Sequence, residues 1–102
     1  MARVERSSAL FLKVENLAYK YLERIFQKNT LSDLDILCDF ESLQFQTESI
    51  LQEVNKDYSQ SIFICKLDVF QKETKQLGYY KLILDMDYQF LDEFFVIVEN
   101  LE

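Results

Sequence analysis

The chain of 102 residues is 49% hydrophobic and 28% charged, an ordinary globular balance that excludes wholesale disorder and leaves length for one domain with one core. Its net charge of −7 disfavours direct contact with nucleic-acid phosphates, and the absence of histidine excludes Ser-His-Asp, Cys-His and His-metal sites within the chain. No run of eighteen apolar residues offers a membrane span. The charged start MARVERSS lacks an apolar signal core, so a cytoplasmic protein is expected.

The first element in chain order is a helix over 7–30. Lys13, Asn16, Lys20, Glu23 and Gln27 recur every three or four positions as a wet face, opposite an apolar stripe of Leu10, Val14, Leu17, Tyr21 and Ile25. Ser7 or Ser8 can cap its start, and Lys28 sits in the last turn, where positive charge suits the helix dipole.

Over 30–58, Ile36, Phe40, Leu43, Thr47, Ile50, Val54 and Tyr58 keep a three-four spacing. That spacing predicts one long helix, or two broken near Gln46–Thr47, with Ser32 and Asp35 resembling a capping box at the start. Gln44 and Gln46 flank Phe45 in a local alternation that allows a short extended piece.

The remainder reads as strands. Phe63, Cys65, Leu67 and Val69 alternate with Ile64, Lys66, Asp68 and Phe70; Tyr80, Leu82, Leu84 and Met86 alternate with Tyr79, Lys81, Ile83 and Asp85. KETKQLG, with the only glycine, Gly78, is expected to be the turn between them. EFFVIVE over 93–99 is a third strand, preferred over a competing helix at 88–101 because its β-branched run disfavours helix.

The expected fold is α+β: two N-terminal helices packed on one face of a three-stranded antiparallel meander, with 79–86 paired to 94–99 through 87–93. Leu17, Ile25, Leu67, Leu84 and Val96 are its expected core residues. The chain is proline-free, where an average one would carry about 5 prolines, so long elements and little irregular loop are expected. Cys38 and Cys65 lack metal or redox spacing and are expected to be reduced.

Charge is unevenly distributed. Residues 1–30 carry six basic and three acidic side chains, 31–60 one basic and seven acidic, and 61–102 four basic and eight acidic. Asp33, Asp35, Asp39 and Glu41 make the densest acidic cluster; as a helix start, its first acids would complement the dipole. The acids of DMDYQFLDE do not fit a calcium loop: counting from Asp85, the sixth position is Phe90 and the twelfth Val96, where glycine and glutamate are needed. They read as the wet ends of a hairpin, and no metal or other cofactor is expected. Asp68, Glu73 and Lys75 supply the residue types of a metal-dependent nuclease site, where carboxylates hold a cation and a lysine steadies the attacking water.

Leu12, Tyr19 and Phe26 lie seven apart on the first helix, flanking its apolar stripe. With the acidic cluster they compose a candidate binding surface. The leading expectation is a non-enzymatic protein-binding module of inhibitor, immunity, adaptor or chaperone type, acting by occupying the surface of a larger, basic partner protein. A homodimer through a sheet edge or the first helix is a further expectation. The alternative is a nucleic-acid-mimicking decoy of a DNA- or RNA-binding enzyme, and the third reading is the nuclease.

Overall fold

The computed structural model describes residues 2–72 and 75–98. Among these, one α-helix lies on one face of an antiparallel sheet of five strands. The elements are β1 (Ala2–Arg3), α1 (Ala9–Lys28), two single 3-10 turns (Ser32–Leu34 and Phe40–Ser42), β2 (Leu43–Asn55), β3 (Gln60–Gln71), β4 (Lys75–Asp85) and β5 (Phe90–Ile97). The strands lie side by side in chain order, β1-β2-β3-β4-β5.

The expected second helix is therefore absent from the described residues, and the three-stranded meander is part of a larger sheet. Most of the expected helical stretch 30–58 is not helical, and 43–55 is a thirteen-residue strand paired along its length with β3. The spacing misleads because β2 is bulged. Its register with β3 slips between Thr47 and Ser49, leaving Glu48 as the extra residue. A bulge shifts the inward-facing parity by one. Leu43, Thr47 and Ile50 are all buried, so a bulged strand reproduces the four-then-three spacing of a helix face.

The first helix forms where expected, as Ala9–Lys28. Ser8 is the cap: its hydroxyl oxygen accepts the Phe11 N–H at 3.1 Å and donates to the Glu5 carbonyl at 2.7 Å. The buried stripe of α1 is Phe11, Val14, Ala18 and Leu22, one residue round from the expected line. Ala18, at 0% exposure, lets the helix backbone approach the sheet. Against this stripe pack Ile50 of β2, Phe63, Cys65 and Leu67 of β3, and Tyr80, Leu82 and Leu84 of β4. Leu67 and Leu84 are fully buried as expected; removal of such a side chain from water stabilises by roughly 1.5–3 kcal/mol. Leu17 and Ile25 are only partly buried against this cluster, and Val96, alternating with the core-packed Phe95, faces the other side of the sheet. That far side is not wholly wet: Ile62 and Ile83 alternate with core residues yet are buried.

The β4–β5 connection follows from one acid. The Asp85 carboxylate accepts the N–H groups of Asp87 and Gln89 at 2.8 and 2.9 Å, while the Asp85 carbonyl accepts the Tyr88 N–H at 3.0 Å. Tyr88 takes a left-handed φ of 65°, the conformation that closes a three-residue hairpin loop. Its ring stacks on Phe63 and lies under Lys13 of α1. Tyr79↔Val96 and Tyr80↔Phe95 realise the middle of the expected pairing, with strand rather than helix from Phe90 to Ile97; β5 therefore starts inside the expected 87–93 connection, and Glu99 of the expected strand lies outside the described residues.

Gly78 is not in a turn. It sits inside β4, where an added Cβ would lie 1.9 Å from the Val96 carbonyl oxygen. Its role is close backbone approach between β4 and β5.

Candidate functional site

Between α1 and β2 the chain runs through 29–42 with little regular structure, and here the four acids of the sequence cluster are placed. Asn29 ends the helix, its backbone N–H and side-chain amide both donating to the Ile25 carbonyl. Thr30 and Asp33 then cap each other: the Thr30 N–H donates to the Asp33 carboxylate at 3.0 Å, and the Asp33 N–H donates to the Thr30 hydroxyl at 3.1 Å. The reciprocal box is Thr30-x-x-Asp33, not the expected Ser32-x-x-Asp35. Hydrogen bonds from the Thr30 backbone and hydroxyl hold the Asp33 carboxyl below its usual range. Asp35 follows with a left-handed φ of 62°, which aspartate tolerates better than most residues.

Ile36 pins the segment. It is buried with Leu43 and Val69 in a second apolar cluster beyond the end of α1, where Leu31, Leu34, Leu77 and Ile97 also pack. On either side of this anchor the chain faces water: Asp33, Asp35, Asp39 and Glu41 are all exposed. So are two large apolar side chains, Leu37 at 100% and Phe40 at 51%. Asp35 and Asp39 share no helix face; Asp33 and Glu41 lie in the two separate 3-10 turns. An open groove of about 660 Å³ runs beside the segment, from Asp35, Leu37 and Cys38 to Lys75, Leu77 and Val98.

The three helix residues of the candidate surface are dispersed. Phe26 is half-buried at the hub of an aromatic cluster, its ring 5.3 Å from Phe40, 5.7 Å from Phe45 and 5.8 Å from Phe95. It supports Phe40 from behind and so borders the acidic segment. Tyr19 is half-buried against the main core, its hydroxyl 3.4 Å from the Phe45 carbonyl, and burial raises its pKa. Leu12 is 56% exposed near the other end of α1.

Hydroxyls and carboxylates also meet between helix and sheet and between neighbouring strands. Thr47 donates to Glu15, and Tyr80 donates to Glu93 at 2.6 Å. Burial pushes the Cys65 thiol up to about 12, with the Glu15 charge adding to the effect, so this cysteine is inert as a nucleophile at neutral pH. Both cysteines are free thiols. Asp68, on the sheet face away from α1, accepts from Gln76 at 3.1 Å; Lys75 begins β4, and Glu73 of the nuclease reading lies outside the described residues. Among the described residues, no three carboxylates or thiols converge as a metal site, and no helix is long and apolar enough to cross a membrane.

Leu37 and Phe40 are the residues that sequence reasoning missed. In a helical reading Phe40 falls on the buried face and Leu37 beside it. The available signal was that LSDLDILCDFES mixes acids and large apolar residues without helical or strand order. No protein-family model, curated protein or solved structure matches the chain.

Proposed function

We propose that this domain is a small protein-binding module that acts by occupying a basic surface on a larger partner through the segment 31–42. The supporting observation is the pairing of a fully exposed Leu37 and a half-exposed Phe40 with four exposed carboxylates, on a segment held in place by Ile36 and by the Thr30–Asp33 box. A side chain fully in water, as Leu37 is, adds no apolar burial to the fold, and Phe40 buries only the half that rests on Phe26; buried in a partner, such side chains are the usual anchors of an interface. Surrounding carboxylates speed encounter with a basic surface and exclude acidic ones. The anchor is presented on a fixed scaffold, so little ordering of the backbone opposes binding.

The test is quantitative capture from the native cell with wild type, a charge variant (Asp35→Asn, Asp39→Asn, Glu41→Gln) and Leu37→Ser, each checked for an unchanged melting curve. Asp33 is left intact because it caps the turn. A partner using this surface is retained by wild type and lost from both variants. With that partner purified, the charge variant associates more slowly at low salt, and Leu37→Ser dissociates faster. Equal retention by all three proteins overturns the proposal.

A further inference from the structure

We infer that the free edge of β5 pairs with the β5 of a second copy of this chain, antiparallel and two-fold symmetric, in a register centred on Phe95. The hydrogen-bond parity of the strand comes first. The Val98 N–H donates to the Leu77 carbonyl at 2.7 Å, and Val96 and Phe94 stand opposite Tyr79 and Lys81. Alternation along an antiparallel strand then turns the N–H and C=O groups of Glu93, Phe95 and Ile97 away from β4, to the outside of the sheet. The Glu93 N–H is already taken by the neighbouring Asp92 carboxylate at 2.8 Å. The Phe95 and Ile97 N–H groups have no such local acceptor among the described residues.

The two edges of the sheet differ in their defences. On the other edge, β1 covers Leu51 and Gln52, and the uncovered part of β2 presents the exposed polar side chains Gln44, Gln46 and Glu48 together with a bulge. Bulges, charges and short cover strands are the usual means of blocking edge pairing. From Phe94 to Ile97, β5 has none of them. Its side chains are Phe-Phe-Val-Ile, and Phe94 and the adjoining Val98 are 43% and 55% exposed.

A two-fold register centred on Phe95 fits this edge to itself. The free N–H and C=O of Phe95 bond reciprocally to those of the second copy, and the free Ile97 N–H meets the carbonyl of Glu93 across the axis. Phe94 then lies opposite Val96, and Asp92 and Glu93 lie opposite Val98 and Ile97, so no acid faces an acid. Those two carboxylates arrive at the end of the edge where Lys75, a charge of opposite sign, lines the same groove as Val98. Pairing joins two five-stranded sheets into one of ten strands and covers Phe94.

The test is sedimentation velocity of the full chain from about 1 μM to about 1 mM, with amide hydrogen exchange at both ends of that range. A reversible monomer–dimer equilibrium is expected, in which Phe95 and Ile97 amides become protected as concentration rises. Ile97→Pro removes an edge donor without removing a bond to β4, and by symmetry it removes two intermolecular bonds, so the dimer weakens by about ten-fold or more. Phe94→Lys, on the side away from the helix, weakens it too while leaving the monomer folded. A monomer at every concentration overturns the inference. So does a dimer whose Phe95 and Ile97 amides exchange at the monomer's rate, whatever the fate of the two variants.

Discussion

Gly78→Ala is the most demanding test of how the sheet is held together. The added methyl carbon would lie 1.9 Å from the Val96 carbonyl oxygen, 2.8 Å from Ile97 Cα and 2.9 Å from the Val96 carbonyl carbon. All three atoms are backbone, so no rotamer change relieves the contact. Relief requires β5 to move away by about 1.3 Å or more to reach normal contact distance. That displacement breaks the Val98–Leu77 hydrogen bond and loosens Phe95, which packs on Tyr80 and Phe26. One backbone hydrogen bond is worth about 1 kcal/mol, and partial loss of a packed phenylalanine about 2–3 kcal/mol. The expected cost is about 3–4 kcal/mol, a large share of the 5–15 kcal/mol typical of a domain. Urea unfolding measures it, and amide exchange locates it: amides of β5 and the facing half of β4 lose protection before those of β2 and β3. A Gly78→Ala protein within about half a kcal/mol of wild type would refute the reasoning, because the two backbones would then not be in contact.

Two further outcomes follow from buried titratable groups. A thiol reagent at pH 8 should label Cys38, which is half-exposed beside the groove, and leave Cys65 until the protein unfolds; one fast equivalent in native protein and two in denaturant check this, whereas two fast equivalents would place Cys65 at the surface. Stability should decline with alkali. Cys65 titrates at about 12 when folded against about 8.5 unfolded, and burial with the Glu93 hydrogen bond raises the Tyr80 phenol above its unfolded value of about 10. Both groups are neutral in both states at low pH, so their contribution is intact below about 8.5 and is lost progressively as pH rises toward and beyond 12. Tyr80→Phe should cost about 1–2 kcal/mol at pH 7, where the hydroxyl donates to Glu93, and should flatten the decline above pH 10; equal slopes for the two proteins in pH-dependent unfolding would refute the assignment.

The elements that the sequence disclosed are those whose periodicity is uninterrupted. α1 carries its three-four spacing for five turns, and β3 keeps strict alternation from Phe63 to Val69. β4 was legible from Tyr79 on, but its first turnless stretch was not, because a lone glycine ordinarily marks a bend and Gly78 instead marks two backbones in contact. β2 was illegible for a different reason: the extra residue at Glu48 resets the alternation, and the reset pattern imitates a helix. That single misreading also placed the acids on a helix. Their exposure was legible, since carboxylates without partners stay in water. The exposure of Leu37 and Phe40 was not, because it depends on where Ile36 docks, and Ile36 docks in a cluster with Val69 of β3, Leu77 of β4 and Ile97 of β5, all distant in the chain.

The order of the elements has a consequence during synthesis. α1 is complete at Lys28, but the surface it rests on is complete only when Leu84 of β4 has been made, and nothing in β1 covers its apolar stripe. β3, β4 and β5 can each pair at once with the strand just before, so these hairpins close locally and early. The helix alone must wait. At elongation rates of about 5–20 residues per second, Phe11, Val14 and Leu22 wait roughly 3–11 s on the nascent chain before their full sheet surface exists, longer than the time in which the hairpins form by many orders of magnitude.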